Sequence, residues 1–156
     1  MASSERNPSL LLREIEKTPE GKFKDLVLQI FCVFVEMGIE RFSAKREYGL
    51  QKAFHCIADA ASKITGAHFY PDFVSGRYVA VRQAIFDAMC YGWCEWALPS
   101  GSLIINIAPL DRAKILEGKG VRKRAEVLAW AWLDGLDDPR LIEPIKSRTL
   151  TSKVMR

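Results

Sequence analysis

Two cysteines, Cys90 and Cys94, have the spacing of a metal-ligating pair on a helix. Residues four apart lie on the same helical face, where two thiolates can ligate zinc. Further ligands would have to come from His55, Cys56 or His68, because the chain has neither the short-spaced Cys pairs nor the His pair of ordinary structural zinc motifs. We therefore predict no metal and no cofactor, with Cys90 and Cys94 as small core side chains.

Cysteine catalysis needs a thiol, a base within hydrogen-bond reach and a group that orients the base. His55 precedes Cys56, but neighbouring side chains leave a helix about 100° apart, so adjacency on a helix predicts no contact between them. The chain also lacks a P-loop, a dinucleotide-binding glycine pattern, a Gly-x-Ser-x-Gly elbow and a His-Glu-x-x-His motif. We expect no enzymatic activity, and a cysteine- or metal-dependent enzyme is our third hypothesis.

The surplus positive charge lies in the last third of the chain. The whole chain carries a net charge of +4, with 12 basic against 13 acidic residues over 1–111 and 11 against 6 over 112–156. The basic residues are densest over 119–124, where they enter a predicted helix at the end whose dipole favours anions. Helix stability does not explain cations at that end, so they predict a surface for a negative partner.

Two tryptophans on the same predicted helix point to opposite sides, because Trp130 and Trp132 are two residues apart. If Trp132 continues the apolar stripe inward, Trp130 presents a side chain of the type most enriched at binding hot spots. The alternative is that a further helix covers both rings. The predicted binding surface comprises Lys119, Arg122, Lys123, Arg124, Trp130 and Arg140.

These residues favour a non-enzymatic interaction or regulatory protein that binds an acidic protein surface. The same cations could bind RNA or DNA, which is our second hypothesis. Because no housekeeping motif is present, we expect an accessory factor of a virus, phage or mobile element that acts on a host partner. The sequence leaves the partner's identity and the oligomeric state open, a homo-oligomer included.

The fold class predicted from the hydrophobic pattern is all-α. Broadly apolar segments over 22–42 and 77–98 predict two buried helices inside a single compact bundle of five to seven helices. This layout resembles the central-helix plan of several virus-encoded and apoptotic regulators. Further helices are predicted over 44–65, 110–117, 121–136 and 140–146.

Residues 103–107 are rich in β-branched side chains, so a short strand and irregular packing are equally supported. A strand there would need a pairing partner, which residues 70–74 could supply. We expect one helical domain over 9–146, a flexible N-terminus over 1–8 and a basic C-terminal tail over 147–156.

The compartment predicted from the sequence is intracellular, either cytoplasmic or nuclear. The N-terminus lacks the apolar stretch of a secretory signal, and the longest apolar run, over 26–35, is about half the length of a membrane span. Four cysteines in such a chain are more often free thiols than disulfides.

Overall fold

The computed structural model describes residues 18–136, which are rich in helix and contain one small sheet. The α-helices are α1 (Pro19–Glu36), α2 (Ala44–Ala53), α3 (Ala58–Thr65), α4 (Val79–Cys90), α5 (Pro109–Ile115) and α6 (Val121–Asp134), with a 3₁₀ turn (Phe54–Cys56) between α2 and α3. The strands are β1 (Arg41–Phe42), β2 (Cys94–Ala97) and β3 (Ser102–Ile105). The prediction of a mostly helical chain is confirmed. The described residues also contain a small antiparallel sheet, of which the sequence indicated only a short strand over 103–107 as one alternative. The predicted domain boundaries, the helix over 140–146 and the C-terminal tail lie outside these residues.

The first helix, α1, is the central element of the core. It starts where the Thr18 hydroxyl accepts a hydrogen bond from the Gly21 amide at 3.1 Å, with Pro19 in the first turn. Its buried residues include Phe23, Leu26, Ile30 and Phe34. Burial on nearly all sides agrees with the apolar pattern of this segment.

Both segments predicted as buried helices end earlier than predicted, at the same kind of glycine cap. Gly38 and Gly92 have φ of 88° and 77°, values in the left-handed region that glycine tolerates best. The amides of Ile39 and Trp93 then donate back to the carbonyls of Phe34 and Ala88, at 2.8 and 3.0 Å. This pattern is the Schellman motif, which stops a helix and redirects the chain.

After each of these caps the chain enters a strand: β1 follows Gly38 and β2 follows Gly92. Both pair with β3 in a three-stranded antiparallel sheet of order β1-β3-β2. Phe42 of β1 and Trp96 of β2 both pair with Leu103 of β3. Residues 103–107 therefore do contribute a strand, but residues 70–74 do not pair with it. The sheet takes the place of helix predicted over 39–42 and 94–97.

The fourth helix, α4, is buried along one face only. Val81, Ala84, Ile85 and Ala88 face the core, while the opposite side is exposed. The prediction of a second central, largely buried helix over 77–98 is therefore wrong. Some of the apolar residues of this segment lie on the buried face of α4, and others lie in strand β2.

The last helix, α6, packs more extensively against α1 than does any other element. Trp132 of α6 is fully buried, and its ring centroid lies 5.6 Å from that of Phe54 and 6.1 Å from that of Phe34. Its indole N–H donates to the Leu50 carbonyl at 2.7 Å. Within 18–136, no helix is long and apolar enough to cross a membrane.

Candidate protein-binding surface

The basic cluster, which we define as Lys119, Arg122, Lys123 and Arg124, lies at the start of α6. Gly118 and Gly120 precede the helix with φ of 110° and 78°, so the chain turns sharply into Val121. The first turn of α6 has no acidic residue and no side-chain cap. All four basic residues are exposed, as the charge pattern predicts.

One member of the basic cluster is neutralised by an ion pair. Arg122 Nη1 bonds to the Glu36 carboxylate at the end of α1. Arg112 Nε lies 3.8 Å from the other oxygen of Glu36, and Arg112 Nη1 donates to the Ile107 carbonyl at 2.6 Å. Glu36 therefore joins α1 to α5 and α6, which makes Arg122 a structural residue as well as a surface cation.

The remaining cations of the cluster are available to a partner. Arg124 Nη2 donates to the Gln29 side-chain oxygen at 3.2 Å, a neutral acceptor that leaves its charge uncompensated. Lys119 and Lys123 make neither an ion pair nor a side-chain hydrogen bond with any residue of 18–136. Three cations that have no ion-pair partner within 18–136 thus face solvent at the start of α6.

The tryptophans of α6 differ in exposure. Trp132 lies in the core, as its position on the apolar stripe predicts, whereas Trp130 is half-buried against the edge of the core. The sequence left two alternatives, an exposed Trp130 or a Trp130 covered by a further helix. The observed exposure of its ring lies between the two. Arg140, the last predicted site residue, lies outside the described part of the chain.

A cleft of about 440 Å³ opens beside the basic cluster and was not predicted. Its walls come from α1, α4, α5 and the turn that follows α4. Gln29, which accepts the hydrogen bond from Arg124, is one of its lining residues, so the cleft and the basic cluster meet at this residue. Its apolar lining comprises Leu28, Ala84, Ala88, Tyr91, Trp93 and Ile115.

The lining of this cleft contains both aromatic rings and charged side chains. Tyr91 and Trp93 stack with their centroids 4.9 Å apart, and Tyr91 is 61% exposed. Lys24 pairs with Asp87 at 2.6 Å, while Lys114 has no ion-pair partner within 18–136. The cleft therefore offers an apolar surface with an uncompensated cation at its edge. The sequence pattern did not predict this cleft because it placed Tyr91 and Trp93 on one continuous helix over 77–98. In the structure, the turn at Gly92 brings the two rings together.

A second apolar surface was also missed. Tyr70, Phe73 and Val74 are almost fully exposed on the loop before α4. Asp72 fixes this loop, because its carboxylate accepts from the Ser75 amide at 2.7 Å and the Ser75 hydroxyl at 2.8 Å. These hydrogen bonds hold the pKa of Asp72 below its ordinary value. The aromatic run over 69–73 was the only sequence signal for this surface.

The prediction that Cys90 and Cys94 are both core side chains holds for Cys94 and is wrong for Cys90. Cys90 ends α4 and is exposed, whereas Cys94 is buried in β2, because the Gly92 turn separates them. Burial raises the pKa of both Cys32 and Cys94 to about 12, so both are unreactive thiols. No group of three or more potential metal ligands occurs in the described region.

His55 and Cys56 do meet, contrary to the sequence prediction. They lie in the 3₁₀ turn, where His55 Nε2 is 3.6 Å from Cys56 Sγ. The prediction assumed an α-helix, in which adjacent side chains diverge. The tighter turn brings the imidazole edge to the sulfur.

Comparison with known proteins gives no relative from which a function could be transferred. No protein-family model, curated protein or solved structure matches this chain.

Proposed function

We propose that this chain is a non-enzymatic interaction protein that binds an acidic amphipathic segment of a partner protein. The apolar side of that segment lies in the cleft between α1, α4 and α5. Its carboxylates face the uncompensated cations Lys114, Lys119, Lys123 and Arg124. The role suits an accessory or regulatory factor that acts on a host protein, and the free thiols Cys32 and Cys94 suit a reducing intracellular compartment.

The observation that carries this proposal is the continuity between the cleft and the basic cluster. Gln29 lines the cleft and accepts a hydrogen bond from Arg124, so the apolar and the cationic surfaces meet at one residue. Binding surfaces commonly combine an apolar centre containing Tyr or Trp with a charged rim. The stacked Tyr91 and Trp93 provide that centre here, and the rim charges select for carboxylates.

The test selects ligands from a display library of amphipathic helical peptides whose polar faces are either acidic or basic. We expect the full-length chain to enrich acidic peptides. Their binding should shift the NMR amide resonances of the cleft residues. Enrichment of basic peptides, or shifts confined to other surfaces, would contradict the proposal.

Two test variants, each with a matched control, localise the binding. Lys119→Glu, Lys123→Glu and Arg124→Glu together should abolish binding of a selected acidic peptide, whereas the same change at the exposed Arg41, Lys45 and Lys63 should weaken it only slightly. Tyr91→Ser should weaken binding about tenfold or more, as expected of a hot-spot aromatic residue, and Tyr70→Ser should not. Arg122 is left unchanged because it pairs with Glu36.

The second candidate function is binding of RNA or DNA by the basic cluster. The observation in its favour is the group of uncompensated cations at the start of α6. Fluorescence anisotropy with a labelled duplex and a labelled single strand at low salt tests it. A complex that weakens steeply with salt supports this function, and no measurable complex rejects it.

A further inference from the structure

The thiol of Cys56 has a neighbouring base, unlike the other cysteines of the described region. The Cys56 sulfur lies 3.6 Å from Nε2 and 4.0 Å from Nδ1 of the His55 ring. His55 Nδ1 also lies 3.3 Å from the Lys52 carbonyl. A carbonyl can only accept, so this contact assigns the ring proton to Nδ1 and leaves Nε2 free to accept the proton of the thiol.

This arrangement has the three parts of an activated nucleophile: a thiol, a base within reach and a group that orients the base. Both residues are exposed, so a reagent can approach from solvent. The sulfur lies beside the end of α6, where a methyl group on Gly135 would come within 2.8 Å of it. The glycine therefore allows the end of α6 to pack closely against the thiol, where a side chain at position 135 would clash with it.

We infer that Cys56 is a modification site at which a small disulfide, such as oxidised glutathione, forms a mixed disulfide with the assistance of His55. The thiol proton passes to His55 Nε2, and the Cys56 sulfur attacks one sulfur of the reagent. The new Cys56–glutathione bond forms as the bond within the reagent breaks. The departing glutathione thiolate then takes the proton from the imidazolium, so the products are the mixed disulfide and one glutathione thiol. This site is independent of the proposed peptide-binding surface.

The chain contains its own controls for this chemistry. Cys90 is also exposed but has no histidine contact, so it reports the reactivity of a thiol that is accessible only. Cys32 and Cys94 are buried and should remain unmodified in the folded protein. A comparison of the four cysteines within one molecule removes differences in folding between samples.

The experiment treats the folded full-length chain with oxidised glutathione and follows each cysteine by peptide mass spectrometry. We expect Cys56 to react about a hundredfold faster than Cys90, the lower end of what a positioned base typically contributes. His55→Asn should lower the Cys56 rate to that of Cys90, while the Cys90 rate stays constant. Circular dichroism checks that His55→Asn is folded, as its exposed position predicts.

Two outcomes would overturn the inference. In the wild-type chain, equal rates at Cys56 and Cys90 would show that the imidazole does not activate the thiol. In a folded His55→Asn chain, an unchanged Cys56 rate would show that accessibility alone sets its reactivity. The wild-type comparison decides the matter even if the variant does not fold.

Discussion

At the scale of single residues, Trp132 is the largest fully buried side chain of the described region. Its ring lies among Phe31, Phe34 and Phe54, and its indole N–H satisfies the buried Leu50 carbonyl. Trp132→Phe removes that donor and leaves a void, so we expect a loss of about 2–4 kcal/mol in the free energy of unfolding, measured with urea. Trp130→Phe, at a half-buried position without such a hydrogen bond, should cost less than about 1 kcal/mol. Equal losses for the two variants would show that the Leu50 contact is unimportant.

A second prediction concerns Glu47, a buried carboxyl on α2. Burial raises its pKa above the ordinary value of 4.5, although Gln51 Nε2 donates to it at 2.5 Å. The folded state therefore binds the proton more readily than the unfolded state, and stability falls as pH rises from 4.5 through the raised pKa. Glu47→Gln keeps an acceptor for Gln51 and removes the charge. It should raise the melting temperature at neutral pH, with an advantage that disappears as the pH falls toward 4.5.

The matched control for Glu47 is Glu95→Gln, at an exposed position on β2. It should change the melting temperature little at any pH between acid and neutral. A pH-independent gain from Glu47→Gln would mean that the cost of burying the charge does not govern this site.

Residue types predicted some side-chain positions and not others. Trp132 lies in the core and the four basic residues lie at the surface because hydrophobic spacing and charge act locally. The Arg122–Glu36 pair could not be predicted, since its partners are 86 residues apart and meet only when α1 packs on α6. The contact between His55 and Cys56 depends on a 3₁₀ turn that the helical pattern did not reveal.

At the scale of elements, two glycines account for most of the difference between predicted and observed structure. Gly38 and Gly92 each lie inside an apolar run that reads as continuous helix, yet each ends its helix and starts a strand. A single glycine within such a run is compatible with either outcome. The choice depends on whether neighbouring strands exist to pair with, which is information held in residues far along the chain.

Gly92 allows a clean test of this role. A methyl group at this position would meet no atom within 4 Å, so any cost of Gly92→Ala comes from its φ of 77°. We expect a loss of about 1–2 kcal/mol in the free energy of unfolding, and a smaller loss for Gly92→Asn, because asparagine tolerates this conformation better. The measurement is chemical unfolding of both variants. If alanine and asparagine cost the same, backbone conformation is not the cause.

At the scale of the whole molecule, the candidate surface has two parts, the basic cluster and the cleft. The sequence indicates the first but not the second. The residues of the basic cluster lie within six consecutive positions, 119–124, so the charge pattern of the sequence indicates them. The cleft is lined by residues from three separate segments, within 21–29, 84–93 and 114–115, which come together only in the folded chain. Its shape depends on α1 as the central helix and on the turn at Gly92.

The balance of charge around the basic cluster gives a final prediction, which rests on the proposed function. Glu36 compensates Arg122 and lies close to Arg112, so Glu36→Gln should expose more positive charge at the cluster while its amide oxygen still accepts from Arg122. We expect affinity for a selected acidic peptide to rise about two- to fivefold, as for one partly exposed charge pair, with a steeper dependence on salt. The control is Asp59→Asn on α3, which changes the net charge equally at an exposed position outside the cleft lining. A similar rise in both variants would assign the effect to net charge, and an unchanged affinity for Glu36→Gln would place the peptide elsewhere.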